Sequence, residues 1–291
     1  MAEITAQAVK TLREITGAGM MDCKKALAEA GGDPERAVEV LRERGLAKAT
    51  KRAGRETSEG TIALSLAGPA GALVELGCET DFVAKTADFQ ALAESLAAAV
   101  AADPSIDGSE ALQDADLEGR KARDVVAETA GKVGENIVPK RVASLRVDGA
   151  GLAGGYVHAG GKLGVLVGLR TEASGDALNA LAKDLAMHVA AADPSPVAVD
   201  RDGVAEELVA KERELLARQA QQEGKPEKVV EKIVEGRLRK FFGEVCLLEQ
   251  PFVKDPDQNV GALLEKASEQ LGSPISVTGF VRFRLGEAAD S

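Results

Sequence analysis

The chain is poor in the residues from which most catalytic and covalent sites are built. It holds two histidines, His158 and His188, too few for a multi-histidine metal site, and neither stands in a recognisable enzymatic constellation. Its three cysteines, Cys23, Cys78 and Cys246, lie far apart without a CxxC pair. That spacing argues against a disulfide framework and a thiolate zinc site, and fits a reducing compartment. No apolar run reaches the roughly eighteen residues that a membrane-spanning helix needs. MAEITAQAVK has neither a basic segment ahead of an apolar core nor an Arg/Ser-rich character, so a cytoplasmic location and no membrane partner are expected. Phosphate loops are missing too. At GGYVHAGGKLG, Lys162 is followed by Leu163 rather than a hydroxyl residue, and Gly17-Ala-Gly19-Met20-Met21-Asp22 ends in Asp after a helix. No cofactor, no metal and no enzymatic reaction are expected.

What is present is a globular composition. With 291 residues and 45% hydrophobic content, the chain can build the cores of two or three domains. Its 47 acidic residues outnumber 36 basic ones, and a net charge of -11 repels phosphate backbones. A protein partner is favoured, with no direct contact to nucleic acid.

The first 45 residues read as three short helices. Thr5 is placed to cap the first, Ile4 and Val9 to staple it, and Leu12 and Ile15 to continue its apolar stripe. Gly17-Ala-Gly19 ends it, a second helix runs from Met20 to Ala30, and the third starts at Asp33-Pro34 and closes at Gly45. Neighbouring Met20 and Met21 cannot both face so small a core, so one of them either lies exposed singly or belongs to a contact surface. The run RERGLAKATKRAGR around Gly45 carries Arg42, Arg44, Lys48, Lys51, Arg52 and Arg55 without interleaved aromatics. It reads as a solvated helical linker before an RNA-binding face.

The centre holds a repeat. GALVELGCETDFVAKTADFQALAESLAAAVAADPS from Gly71 and GVLVGLRTEASGDALNALAKDLAMHVAAADPS from Gly164 share a strand, a turn and an Ala/Leu helix. From Leu76 to Leu92 the first copy spans sixteen positions, whereas Leu169 to Leu181 in the second spans twelve. The four additional residues hold Thr80-Asp81-Phe82-Val83. Further strands are expected at TIALSLAG, AGGYVHA and RVASLRVDG, with a helix over KARDVVAETAGKVGENIV. Between Val204 and Lys240 a charged pair of helical segments with sparse Leu208, Leu215, Val229, Ile233 and Leu238 predicts an antiparallel hairpin with a narrow seam. The tail returns to strand signals at EVCLLEQPFV and VTGFVRFRL around a helix capped by Asn259.

Phe82 stands in a polar turn. As a plain scaffold residue it would plug the core, and Asp81 would cap the next helix. The shorter second copy shows that the scaffold needs neither, so an aromatic wedge for a protein interface is the sharper reading. His188, on an Ala-rich helix, reads first as a satisfied structural histidine.

Several stretches together resemble the bacterial elongation factor Ts family of guanine nucleotide exchange factors: VKTLREITGAGMMDCKKALAEAGGD, LRERGLAKA, CETDFVAK, AMHVAA, GKPEKVVEKIVEGRL with KFF, and QPFVKD. Thr86 departs from the Asn that many members place there. The resemblance implies an α+β, multidomain architecture. A ubiquitin-associated-like three-helix domain with its linker spans 1–55, and two duplicated core subdomains follow at 56–148 and at 149–203 with 244–255. A coiled-coil hairpin occupies 204–243 and a C-terminal module 256–291. It further implies elongation factor Tu, GDP-bound and nucleotide-free, as partner. Asp81 and Phe82, flanked by Thr80 and Val83, would disturb that partner's magnesium site, while Lys10, Arg13, Met20, Met21 and His188 would make other contacts. A ubiquitin-associated-type adaptor would leave the inserted TDFV unexplained, and an RNA-binding accessory protein using the basic linker would bind nucleic acid with strong salt dependence.

Overall fold

The computed structural model describes residues 4–52, 54–224 and 226–287. Three helices open the chain: α1 (Ala6–Thr16), α2 (Met20–Glu29) and α3 (Pro34–Arg52). The Thr5 hydroxyl accepts the Ala8 N–H at 3.2 Å, Gly17 turns left-handed at φ 65° to end α1, and Asp33 accepts from the N–H groups of Glu35 and Arg36. Val9, Leu12, Cys23, Ala26, Leu27 and Ala37 make the small core, with Ile4 packed against it.

Two expectations fail here. Ile15 is exposed rather than part of the stripe: on α1 the core face is covered by Val9 and Leu12, and Ile15 falls beyond it. The helix expected to close at Gly45 runs on to Arg52. A Cβ built on Gly131 would lie 2.8 Å from the Gly45 Cα, so Gly45 marks a close helix crossing and not a stop.

The first β-plus-helix unit comprises β1 (Glu59–Ala67), β2 (Ala70–Cys78), α4 (Asp81–Ala84), α5 (Ala87–Ala102), α6 (Gly108–Gln113), a small hairpin of β3 (Asp116–Leu117) and β4 (Arg120–Lys121), α7 (Ala122–Val133) and β5 (Ile137–Arg146). Its sheet is antiparallel in the order β1-β2-β5. The second unit has β6 (Gly151–Val157), β7 (Leu163–Arg170) and α8 (Asp176–Ala191). After it come the long helices α9 (Glu206–Gln222) and α10 (Glu227–Val245), the pair β8 (Pro251–Phe252) and β9 (Asp255–Asn259), α11 (Val260–Leu271) and β10 (Ser276–Arg284). Its sheet has the order β10-β7-β6.

The two sheets pack face to face over a thin layer of Ile62, Leu73, Ala153, Leu166 and Phe283. Glycine makes that approach possible: a Cβ on Gly71 would lie 2.5 Å from Leu166 Cδ1, and one on Gly164 would lie 2.6 Å from Ile62 Cγ2. The opposite faces are covered by helices. Val74 and Leu76 of β2 meet Phe89, Leu92 and Leu96 of α5, and Val165, Val167 and Leu169 of β7 meet Leu178, Leu185 and Val189 of α8. Buried Glu75 is paired with Arg141 at 2.6 Å and accepts the Gly286 N–H at 3.3 Å, while the Arg141 guanidinium lies over the Phe283 ring. One carboxylate therefore links the first sheet to the end of the second sheet's last strand.

The seam of the long helices differs from the expected one. Leu216, Ala220, Val234 and Leu238 are buried, whereas Leu208, Leu215 and Val229 are exposed. On α10, Val230, Val234 and Leu238 recur every four residues; they pack with Leu216 and Ala217 of α9, and Leu216 lies about 100° around the axis from Leu215. EVCLLEQPFV is likewise not one strand: α10 continues to Val245, Leu247–Glu249 form a 3-10 turn, and Pro251–Phe252 alone pair as a strand. The Leu247 N–H is bonded to the Ala198 carbonyl, which bends this segment along residues 198–199. At the C-terminus, α11 sends Val260 and Leu264 into the second unit's core and β10 pairs with β7.

Candidate partner-binding site

A four-residue helix has little stability of its own, so the geometry of α4 comes from its surroundings. Thr80 is extended, at φ -129° and ψ 154°, and caps the turn by accepting the Val83 N–H at 3.4 Å. Its own hydroxyl donates to Glu135 Oε1 at 2.6 Å and its N–H to Glu135 Oε2 at 2.9 Å. Beneath the turn, Val83 and Ala84 are buried in the first unit's core. At the far end, the Thr86 hydroxyl donates to the Val83 carbonyl at 2.8 Å and accepts the Phe89 N–H, while Gln90 Nε2 donates to the Ala84 carbonyl at 2.5 Å.

The remaining face carries Phe82, 80% exposed. It does not plug the core. Asp81 does not cap a helix either, since Thr80 caps α4 and Thr86 caps α5. Instead Asp81 pairs with Lys85 at 2.6 Å. The hydrogen bond from Lys85 holds the Asp81 carboxyl below its ordinary pKa, and Asp81 raises that of Lys85. Burial, with the charge of Glu135 second, pushes the Cys78 thiol up to about 11, and its Sγ donates to the Thr80 carbonyl at 3.1 Å. It stays an uncharged donor at neutral pH.

Beside α4 a cleft of about 660 Å³ is lined by Glu59, Asp81, Lys85, Tyr156, His158 and Lys162 among others. The four residues Thr80, Asp81, Phe82 and Val83 thus form one element: two hold the turn, one is an exposed ring, and one is an ion-paired carboxylate. Spacing alone could have found Lys85, four residues after Asp81. Glu135 gives no such signal, because it meets Thr80 across 55 positions of sequence.

The other sequence-predicted residues fall in two places. On the three-helix domain Arg13 is exposed, Lys10 pairs with Glu14 at 3.8 Å, and both Met20 and Met21 are exposed, at 58% and 62%. The expectation that only one methionine faces solvent is therefore corrected; α2 fills the core with Cys23, Ala26 and Leu27 instead. His188 is fully buried. Its Nε2 lies 3.0 Å from Gln250 Oε1, its Nδ1 accepts the Val253 N–H at 3.2 Å, and its ring lies beside Phe252. The ring, read from the sequence first as a satisfied structural histidine, has an internal duty, the seating of residues 250–253 against α8. Burial lowers its pKa, opposed by the Gln250 hydrogen bond.

Members of the basic run serve the fold. Arg44 pairs with Glu29, Arg52 donates to the Ala130 carbonyl, and Arg55 pairs with Glu79 at 3.3 Å. Among the described residues no group of three or more His, Cys, Asp or Glu is arranged to hold a metal ion, and no helix is long and apolar enough to cross a membrane.

An exposed aromatic on a buttressed turn is the geometry of a protein-recognition element. The sequence model of the family Elongation factor TS matches residues 79–287. The chain is 47% identical to elongation factor Ts of Chlorobium phaeobacteroides over 98% of its length and 100% of that protein. It is 46% identical to elongation factor Ts of Clostridium acetobutylicum, covering 99% of this chain and 94% of that one. With elongation factor Ts of Rhodospirillum rubrum it shares 47% identity over 100% of its length and 95% of the relative. The chain belongs to the elongation factor Ts family of translation elongation factors.

Proposed function

We propose that the chain is a guanine nucleotide exchange factor that binds elongation factor Tu with GDP and drives Phe82 and Asp81 against the elements holding its magnesium ion. The observation that carries this reading is the Phe82 ring, 80% exposed at the top of a turn whose base is buried and hydrogen-bonded. The mechanism is linkage. A factor that binds the nucleotide-free partner more tightly than the loaded one lowers nucleotide affinity by the same ratio. Displacing the magnesium ligands leaves the diphosphate charge poorly neutralised, which speeds release. No covalent bond changes, so the factor is not an enzyme in the bond-making sense.

In this reading the ubiquitin-associated-like domain grips the same partner through Lys10, Arg13, Met20 and Met21, and His188 acts indirectly by holding residues 250–253. The long helices form a coiled coil. The structural duties of Arg44, Arg52 and Arg55 support a protein partner over nucleic acid. Stopped-flow release of fluorescent GDP from elongation factor Tu tests the proposal. Strong acceleration by the wild type, falling about tenfold or more with Phe82→Ala, is expected; no acceleration by the wild type would return the chain to an adaptor role.

A further inference from the structure

We infer that Glu135 is the positioning residue of the wedge, a role that rests on the exchange reading above: its carboxylate, delivered from the end of α7, fixes the turn that presents Phe82. Because the exposed ring has little protein around it to hold it, the precision of its placement must come from the backbone of α4. That backbone is too short to hold itself. Its N-terminal anchor is the pair of hydrogen bonds from Thr80 N–H and Thr80 Oγ to the two oxygens of one carboxylate, at 2.9 and 2.6 Å. Such charge-assisted bonds are about twice as strong as neutral ones. They also orient the Thr80 hydroxyl so that its lone pair faces the Val83 N–H.

The carboxylate is itself held in place. Gly134 ends α7 in the left-handed region at φ 87°, and the next residue reaches Thr80 just beyond β2. Asn136 then binds the neighbouring position: its N–H donates to Glu79 Oε1 at 2.7 Å and its side chain donates to the Arg55 carbonyl at 2.8 Å. Two consecutive residues, Glu135 and Asn136, thereby grip two consecutive residues, Glu79 and Thr80. Among the described residues the second unit has no such clamp. There the link after β7 is held by the Ser273 hydroxyl, which accepts the Glu172 N–H at 3.3 Å and lies 3.2 Å from Thr171 Oγ.

A positioning residue acts through the group it positions, and a double-substitution cycle measures that dependence. With full-length protein and elongation factor Tu loaded with fluorescent GDP, Glu135→Ala is expected to lower kcat for GDP release about tenfold while KM stays within about twofold, because the wedge contributes in the displaced state and not in first encounter. Glu135→Gln, which keeps one acceptor oxygen, should recover part of the rate. Glu135→Ala combined with Phe82→Ala should be no slower than Phe82→Ala alone. Multiplying effects, or an unchanged kcat, overturn the inference. If Glu135→Ala fails to fold, Glu135→Gln decides by the same cycle. Amide hydrogen exchange of the free protein separates this idea from the exchange reading: Ala84 and Thr86, whose N–H groups bond the Thr80 and Val83 carbonyls, should lose protection in Glu135→Ala. Unchanged protection there sinks the inference whatever the partner does, whereas a wild type that leaves GDP release unaccelerated removes the function on which it rests.

Discussion

The two β-plus-helix units use helices of the same length, sixteen residues each in α5 and α8, over strands of the same kind. They differ in what joins strand to helix. In the first unit residues 79–86 include the turn α4 and expose Phe82; in the second, residues 171–175 make the same connection without a helical turn or an aromatic. The second unit instead keeps its notable polar side chain inside, as buried His188 bonded to Gln250 and the Val253 N–H. The scaffold is satisfied by the short link, so the longer one is an addition to it. A side chain that no core requires and that water surrounds is shaped by something outside the chain.

The strongest way to break this comparison is to make the units alike. Replacing residues 79–86 by the sequence of 171–175 should cut stimulated GDP release by roughly a hundredfold, toward the unstimulated rate. The thermal transition should stay cooperative, because the sheets and both sixteen-residue helices remain. Loss of cooperativity would show that α4 is structural after all.

His188→Ala should do the reverse. It removes a fully buried ring with two hydrogen-bond partners and should lower unfolding free energy by about 2–4 kcal/mol, while the folded fraction keeps its kcat. Denaturant titration alongside release kinetics checks both halves. The pH dependence follows with a definite sign. Burial depresses the folded pKa of His188. The unfolded chain therefore takes up the proton first. Its contribution is fully present above the ordinary value of about 6.5 and is lost as the pH falls through the folded pKa. His188→Asn should show a shallower loss of stability on acidification just below about pH 6.5; an unchanged slope would mean the burial has no energetic consequence.

The smallest effect belongs to the N-terminal surface. Met20→Ser with Met21→Ser removes two exposed side chains and should leave stability within about 0.5 kcal/mol. A rise of a few-fold in KM at constant kcat would mark this face as a grip and the first unit's turn as the lever; a fall in kcat instead would blur that division.

Local signals in the sequence were legible. Thr5, Asp33 and Asn259 cap the helices they precede, because capping chemistry acts within three residues. The repeat and the longer link of its first copy, eight residues against five between strand and helix, marked Phe82 correctly as something other than core. Interactions across the chain were not legible. Gly45 reads as a helix stop until Gly131, 86 positions later, is seen against it. The seam of α9 and α10 could be placed a residue off, at Leu215 instead of Leu216, because both are leucine. Glu135 is an ordinary surface carboxylate in sequence and becomes the anchor of α4 only when β2 and the end of α7 meet in space.

The crossing of Gly45 with Gly131 reaches beyond packing. Since α3 runs unbroken for nineteen residues, about 28 Å, and its far half is seated on α7, the three-helix domain joins the sheets through a strut and not a tether. In the proposed reading, a partner that meets one of the two surfaces finds the other already at a set separation, so the second contact forms at high effective concentration with almost no chain entropy left to lose.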